Sequence, residues 1–203
     1  MAVAVITAVA LTGALPSSIR PESRWFLGLI GLVLLVLIIA DPGRIDRSTR
    51  LVRVLSRLLL VLLATSSALA TALLIHLLIV GGDLTHSATR LLLSGAAVWV
   101  SNDIVFGLIY WEVDGGGSVA RALHPPEYPD LAFPQQMNPH LASAGWRPMF
   151  VDYLYLGFTN ALAFSPTDVM PLVPWAKITM GIQSLISLAI LGLVVARAVN
   201  ILH

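Results

Sequence analysis

The 203 residues are 57 % hydrophobic and only 11 % charged, with a net charge of +1. A soluble domain carries about 25 % charged residues, so the composition predicts a multi-pass protein of the cell membrane, with the lipid bilayer as its main partner. The small net charge gives no reason to expect a nucleic-acid partner. The absence of cysteine excludes disulfides, thiolate catalysis and metals ligated by cysteine.

The chain begins with a short apolar segment, Met1–Leu15, which lacks the basic start of a signal peptide. It is also short for a span, which needs about 20 residues. We therefore predict a short N-terminal helix, lying at the interface or against the bundle, and a polar linker that completes residues 1–24. Trp25–Ala40 is the first clear span and ends at Asp41-Pro42-Gly43.

A basic stretch separates the first span from the second span, Leu58–Val80. Its arginines are Arg44, Arg47, Arg50, Arg53 and Arg57. Arginines near span ends favour the cytoplasmic face. The second span has a small, weakly polar centre that favours close helix packing in lipid, and residues 25–90 are predicted to form a two-helix transmembrane hairpin. The short turn Gly81-Gly82-Asp83 then makes the third span an antiparallel neighbour.

The third span, Leu91–Trp111, carries Asn102 and Asp103 near its middle. An intramembrane carboxylate is costly unless it is paired or faces water. Two interpretations remain open: Asp103 bonds a polar group on a neighbouring helix, or it faces water or an ion.

The segment Glu112–Pro148 is the one long polar stretch, and we predict that it is a loop. Its histidines, His124 and His140, lack the spacing of a metal site, and solvated loop residues are the better interpretation. No catalytic, nucleotide-binding or EF-hand motif occurs in the chain. We therefore expect no enzyme, no cofactor and no metal.

The functional prediction depends on the last quarter of the chain, which is predicted to form a short helix followed by a long helix. Met149–Phe164 is bounded by prolines and is too short to cross a bilayer at 1.5 Å per residue. It is predicted to be a half-helix ending inside the membrane, or one arm of an ordinary hairpin. The helix predicted at Pro174–Ile201 carries a mildly polar stripe that is consistent either with a wet cavity in an oligomer or with helix–helix hydrogen bonds. The stripe comprises Thr179, Gln183, Ser187 and Val194.

The last quarter contains the run Tyr155-Leu156-Gly157-Phe158-Thr159, followed by the six residues Ala163, Phe164, Ser165, Pro166, Thr167 and Asp168. Over about 50 residues this pattern resembles the pore unit of tetrameric potassium channels, in which the first run corresponds to an aromatic–Ser–Phe–Thr run and the six residues fall on the filter. It also resembles a group of uncharacterised bacterial multi-pass proteins with the same FT…SPTD and AVNIL landmarks. The resemblance further implies a hinge at Gly181 in the inner helix, and an inner-helix tail at the ending ARAVNIL.

The filter residues depart from the family pattern. Glycines allow the left-handed backbone angles that point filter carbonyls inward, whereas this chain has Ser165 and Thr167 in their place and Pro166 in place of tyrosine. Proline locks φ, so we do not expect the carbonyl ladder to form. A pore would instead be lined at its mouth by the Ser165 and Thr167 hydroxyls and a ring of Asp168 carboxylates, suiting cations with weak selectivity.

The predicted fold is an all-α membrane protein with about four transmembrane helices, a pore-type half-helix and a short N-terminal helix. Residues 91–203 would form a pore-like module of outer helix, polar loop, half-helix and inner helix. The resemblance implies a homotetrameric, channel-like protein that passes inorganic cations. The alternative is a non-conducting structural or partner-binding membrane protein. Two observations predict opposite orientations in the membrane. The arginine-rich stretch favours a cytoplasmic location for the face on which it lies. The resemblance to potassium channels implies that the same face lies outside.

Overall fold

The computed structural model describes residues 1–20, 29, 30, 33, 50–123, 127–138, 140, 142–162 and 168–202. The chain is 78 % helical with almost no strand, which confirms the predicted all-α class. Among the described residues, three helices are long and apolar enough to cross a bilayer: Val54–Val80, Ala88–Gly116 and Pro174–Ile201. The first span predicted at Trp25–Ala40 lies outside the described residues apart from three helical positions, so the count of four spans stays a prediction.

The helices in chain order are α1 (Ala2–Ala14), α2 (Arg50–Val80), α3 (Ala88–Val113), α4 (Ser118–Leu123), α5 (Pro134–Met137), α6 (Phe150–Ala161) and α7 (Pro174–Leu202). The predicted short N-terminal helix is present as α1 and contacts α2. Helix α2 is described from Arg50 onward and therefore includes residues before the predicted span Leu58–Val80, because arginine is a good helix former and the end of the basic stretch continues the helical pattern.

The segment Glu112–Pro148 is not the irregular loop that its polarity predicts. It contains α4 and α5, and strand β1 (Leu131–Ala132), which pairs antiparallel with β2 (Met170–Pro171). The residues of β1 and the following Phe133 are buried. Burial of these apolar side chains and the strand pairing fix the segment to the chain just before α7.

The described residues divide into two compact units, residues 1–105 with 186–203, and residues 106–185. Helices α3 and α7 contribute residues to both units. The core of the first unit includes Leu74 and Leu91, which are fully buried, together with Ile190 and Val194 from α7. Gly95 allows a close approach there, since a Cβ at this position would lie 2.8 Å from Cγ2 of Val194.

Polar side chains also join the helices of the first unit. Oδ1 of Asn102 accepts a 2.9 Å hydrogen bond from the Ser67 hydroxyl, and its Nδ2 donates a 2.6 Å bond to Oγ1 of Thr71. Nε1 of Trp99 donates to the hydroxyl of Ser187. Interhelical hydrogen bonds of this kind satisfy polar groups that lipid cannot.

The second unit is built around α6, which has only 12 residues. It begins after Pro148, and the backbone N–H of Met149 donates a 2.6 Å bond to Oδ2 of Asp152 as an N-terminal cap. Tyr153, Leu156 and Asn160 form part of its buried face. Its length agrees with the short helix predicted at Met149–Phe164.

Candidate functional site

Directly after α3 the chain leaves the helical conformation at three consecutive glycines. Gly115, Gly116 and Gly117 have φ angles of 56°, 79° and 102°, a left-handed region that residues with a side chain rarely adopt. At Gly117 a Cβ would also lie 3.0 Å from the carbonyl oxygen of Glu112. This turn leaves the side chain of the preceding Asp114 buried, with 3 % of its surface exposed.

Both carboxylate oxygens of Asp114 accept hydrogen bonds. Oδ1 accepts from the backbone N–H of Leu131 at 3.2 Å, and Oδ2 accepts from the hydroxyl of Tyr153 at 2.5 Å. Burial, and then the Asp114 carboxylate, raise the pKa of the Tyr153 phenol well above its usual value. The phenol therefore keeps its proton and acts as the donor in this pair.

The guanidinium of Arg121, on α4, lies beside the same carboxylate. Nη1 donates to the backbone carbonyl of Asp114 and lies 3.9 Å from its Oδ2. The guanidinium carbon is 4.8 Å from the ring centre of Trp111 and 5.0 Å from that of Tyr153, distances typical of cation–π contacts. Among the residues that the structure describes, the buried Nη2 of Arg121 has no hydrogen-bond acceptor.

A second carboxylate, that of Asp130, holds the neighbouring backbone in place. Its Oδ2 accepts from the N–H of Gly115 at 3.0 Å and from Nε1 of Trp175 at 3.3 Å. The backbone carbonyl of Asp130 accepts from the N–H of Leu172 at 2.9 Å. The glycine turn, the strand pair and the start of α7 are thereby fastened to one another.

A cavity of about 710 Å³ adjoins this cluster within the second unit. Its apolar lining includes Trp111, Met137, Trp146, Met170 and Leu172. Its charged lining comprises Asp114, Arg121, Glu127 and Arg147. A volume of about 300–1,000 Å³ with a mostly apolar wall and few polar groups is typical of small-molecule sites. In the described part of the chain no three His, Asp or Glu side chains come together as metal ligands.

The residues predicted to form a filter, Ala163–Thr167, lie outside the described residues. Asp168 is described and exposed. Gly181, the hinge implied by the resemblance, is exposed on α7, and nothing lies within 4 Å of the position of a Cβ there. The roles assigned to these residues stay predictions.

The predicted polar stripe of α7 is largely turned inward within the chain. Gln183 and Ser187 are 2 % and 3 % exposed. Val194 packs on Gly95, and Thr179 is half-buried. The exposed face of α7 is instead apolar and includes Ile178, Ile182, Leu185, Leu188, Val195 and Val199. An apolar exposed face suits contact with lipid.

Gln183 is the centre of a polar network in the second unit. Its Oε1 accepts from the Tyr110 hydroxyl at 2.7 Å and from Nδ2 of Asn160 at 2.8 Å, and its Nε2 donates to the Gly157 carbonyl at 2.9 Å. Nδ2 of Asn160 also donates to the carbonyl of Met180 at 2.9 Å. This network fastens the short α6 to the long α7.

The intramembrane pair predicted on the third span is buried. Asn102 is 6 % and Asp103 is 7 % exposed. The amide of Asn102 bonds two hydroxyls of α2, Ser67 and Thr71. This arrangement ties α3 to α2.

The sequence alone does not predict the cavity. Its one local signal is the run Asp-Gly-Gly-Gly at 114–117, because glycines permit the left-handed backbone angles observed there and the run places one carboxylate next to a turn. Arg121 lies seven residues later, within the short helix α4, which makes the pairing with Asp114 local. Comparisons with protein-family models, with curated proteins and with solved structures find no match for this chain.

Proposed function

We propose that this chain is a membrane-embedded binding protein that takes a small ligand in the cavity beside Arg121. The single observation that carries the proposal is the cavity itself, with a volume of about 710 Å³ and a lining that combines two tryptophans with buried charge. Ligand sites characteristically combine apolar walls with a few oriented polar groups. The three apolar helices support a location in the membrane.

The hydrogen bonds of the polar side chains on α7 favour a binding function over ion conduction. Gln183 and Ser187 form hydrogen bonds within the chain, to Asn160 and to Trp99 respectively. A pore-lining stripe would need such groups to face a shared water-filled axis. Their intrachain bonds support the non-conducting alternative.

Three small aryl bromides test the proposal, because bromine quenches tryptophan fluorescence on contact and Trp111 and Trp146 line the cavity. The purified protein in detergent is titrated with 4-bromobenzoate, 4-bromobenzyl alcohol and 4-bromobenzylamine. At least one probe should quench with a saturable curve, and Trp146→Phe should reduce the amplitude.

The substitution Ala122→Phe places a ring in the cavity lining and should abolish saturable quenching. Leu123→Phe is the matched control, because Leu123 is 66 % exposed and lies outside the lining. Quenching that never saturates with any probe, or that is equal in both variants, would refute the proposed function.

A second candidate is the cation pore implied by the resemblance, as a homotetramer. It is favoured by the layout, since the 12-residue α6 is followed by a helix long enough to span. Protein in liposomes should then pass cations at a rate that changes with Asp168→Asn. A monomer in mild detergent, or no flux under varied ion, pH and voltage, would remove this candidate.

A further inference from the structure

The buried charges of the cavity lining already interact within the chain. The two oxygens of Asp114 accept hydrogen bonds from Leu131 and Tyr153. Arg121 donates through Nη1 to the Asp114 carbonyl, and its Nη2 is fully buried and out of reach of solvent. A ligand in the cavity is therefore not needed to neutralise either group.

The charged lining as a whole is balanced. Asp114 and Glu127 carry its negative charges, and Arg121 and Arg147 carry its positive charges. Glu127 and Arg147 are exposed, so solvent and salt screen them strongly. An ion that entered the cavity would lose hydration without gaining a dedicated partner, which costs free energy. The lining therefore favours an uncharged ligand over an anion and over a cation alike.

The rest of the lining offers mainly apolar contact. Trp111 and Trp146 contribute large aromatic surfaces, and Met137 and Met170 contribute flexible thioethers. Methionine side chains adapt to irregular shapes and make favourable contacts with aromatic rings. Burial of apolar ligand surface against such walls gains affinity without any charged partner.

Some of the apolar lining is also exposed on the outer surface. Met170 and Leu172 are 53 % and 50 % exposed. Trp111 belongs to the candidate span Ala88–Gly116, and Leu172 lies just before the candidate span Pro174–Ile201. Tryptophan near the end of a span is typical of the boundary between lipid and water. A molecule dissolved in the bilayer and a molecule arriving from water both have access there.

Resting on the proposed binding function, we infer that the ligand is an uncharged, largely apolar molecule. Its apolar body packs against Trp146 and the two methionines of the lining, and it carries no ion that would need a partner. An uncharged lipid such as a diacylglycerol and a small soluble aryl or alkyl alcohol share this chemistry.

The same three bromides test this inference. 4-Bromobenzyl alcohol should bind at least about tenfold more tightly than 4-bromobenzoate and 4-bromobenzylamine, because only the two ions lose the hydration of a charge on entry. Each titration is taken as its difference from that of Ala122→Phe, which removes quenching caused by partition into detergent. A smaller preference over either ion would overturn the uncharged assignment and leave the binding function standing. Saturable binding of none of the three would overturn both.

Two matched substitutions test the apolar contact. Met137→Asn changes a lining side chain that is 47 % exposed and should weaken binding of the alcohol at least about threefold, because apolar contact is lost. Leu123→Asn changes a side chain that is 66 % exposed and outside the lining, and should leave the affinity unchanged. An equal effect of both would overturn the inferred contact. Circular dichroism checks folding, and if either variant is unfolded the ranking of the three probes decides the question.

Competition distinguishes the two sources. Protein in nanodiscs of phosphatidylcholine is compared with protein in nanodiscs that also contain diacylglycerol. Weaker apparent binding of 4-bromobenzyl alcohol in the second indicates a lipid ligand. Displacement only by added benzyl alcohol, which carries no bromine, indicates a soluble ligand, and displacement by neither overturns the inference.

Discussion

Nδ2 of Asn160 donates a 2.8 Å hydrogen bond to Oε1 of Gln183, and this contact joins the short helix α6 to the long helix α7. The Tyr110 hydroxyl of α3 donates to the same oxygen. One glutamine therefore connects three helices, and the stability of the second unit should depend on it.

Replacing Gln183 by Leu should destabilise the protein by about 1–3 kcal/mol, because it removes one hydrogen-bond partner each from buried polar groups of Tyr110, Asn160 and Gly157. Unfolding in detergent, followed by circular dichroism, measures the loss. Leu185→Ala is the control, since Leu185 is 69 % exposed on the same helix and should cost less than about 0.5 kcal/mol. An equal loss in both variants would contradict the network.

Asn102 and Ser67 should be energetically coupled, because they share a 2.9 Å hydrogen bond between α3 and α2. The single substitutions Asn102→Ala and Ser67→Ala should each destabilise the protein. The double mutant should lose less than the sum, with a coupling energy of about 0.6 kcal/mol, the average for such bonds in membrane proteins. Strict additivity in the double-mutant cycle would show that the contact contributes nothing.

Gly95→Ala should destabilise the protein by about 1–3 kcal/mol through overpacking, because the new methyl group would lie 2.8 Å from Val194. Val194→Ala should partly rescue it in the double mutant. Gly181→Ala is the control, since nothing lies within 4 Å of its Cβ position. There alanine should be neutral or stabilise by up to about 1 kcal/mol through helix propensity.

The protonated Tyr153 should make the protein less stable in alkaline solution. Its pKa is raised in the folded state by burial and by Asp114, so above pH ~10 the unfolded chain loses a proton that the folded chain retains. Stability then falls as pH rises, by up to about 1.4 kcal/mol per pH unit for this one group. Unfolding measured from pH 9 to 11 should show a shallower fall in Tyr153→Phe than in Tyr155→Phe, which alters an exposed tyrosine.

The sequence predicts the helices better than the site. Hydropathy and length identify α2, α3 and α7 because an apolar run long enough to span is a local property. The short α6 follows equally from the prolines around it. The sequence predicts the polar stripe of α7 but not its hydrogen-bond partners, because Asn160 and Tyr110 come from two other helices.

The sequence does not predict the cavity either, because the residues that form it are far apart along the chain. Tyr153 lies 39 positions from the Asp114 that it bonds, and that contact depends on how α6 packs. The polarity of 112–148 suggested a loop because charged and proline-rich runs are typical of loops. Here the buried β1 residues and the hydrogen bonds of Asp114 and Asp130 order much of the segment instead.

Photocrosslinking with 4-benzoylbenzyl alcohol tests the central claim most directly. This probe combines an uncharged hydroxyl with an apolar benzophenone, which reacts readily with methionine side chains, and Met137 and Met170 line the cavity. Peptide mapping by mass spectrometry should place the adducts on these two methionines, and Ala122→Phe should suppress them. Adducts that scatter over exposed apolar residues of α7 such as Leu185, equally in both proteins, would contradict a ligand site in this cavity.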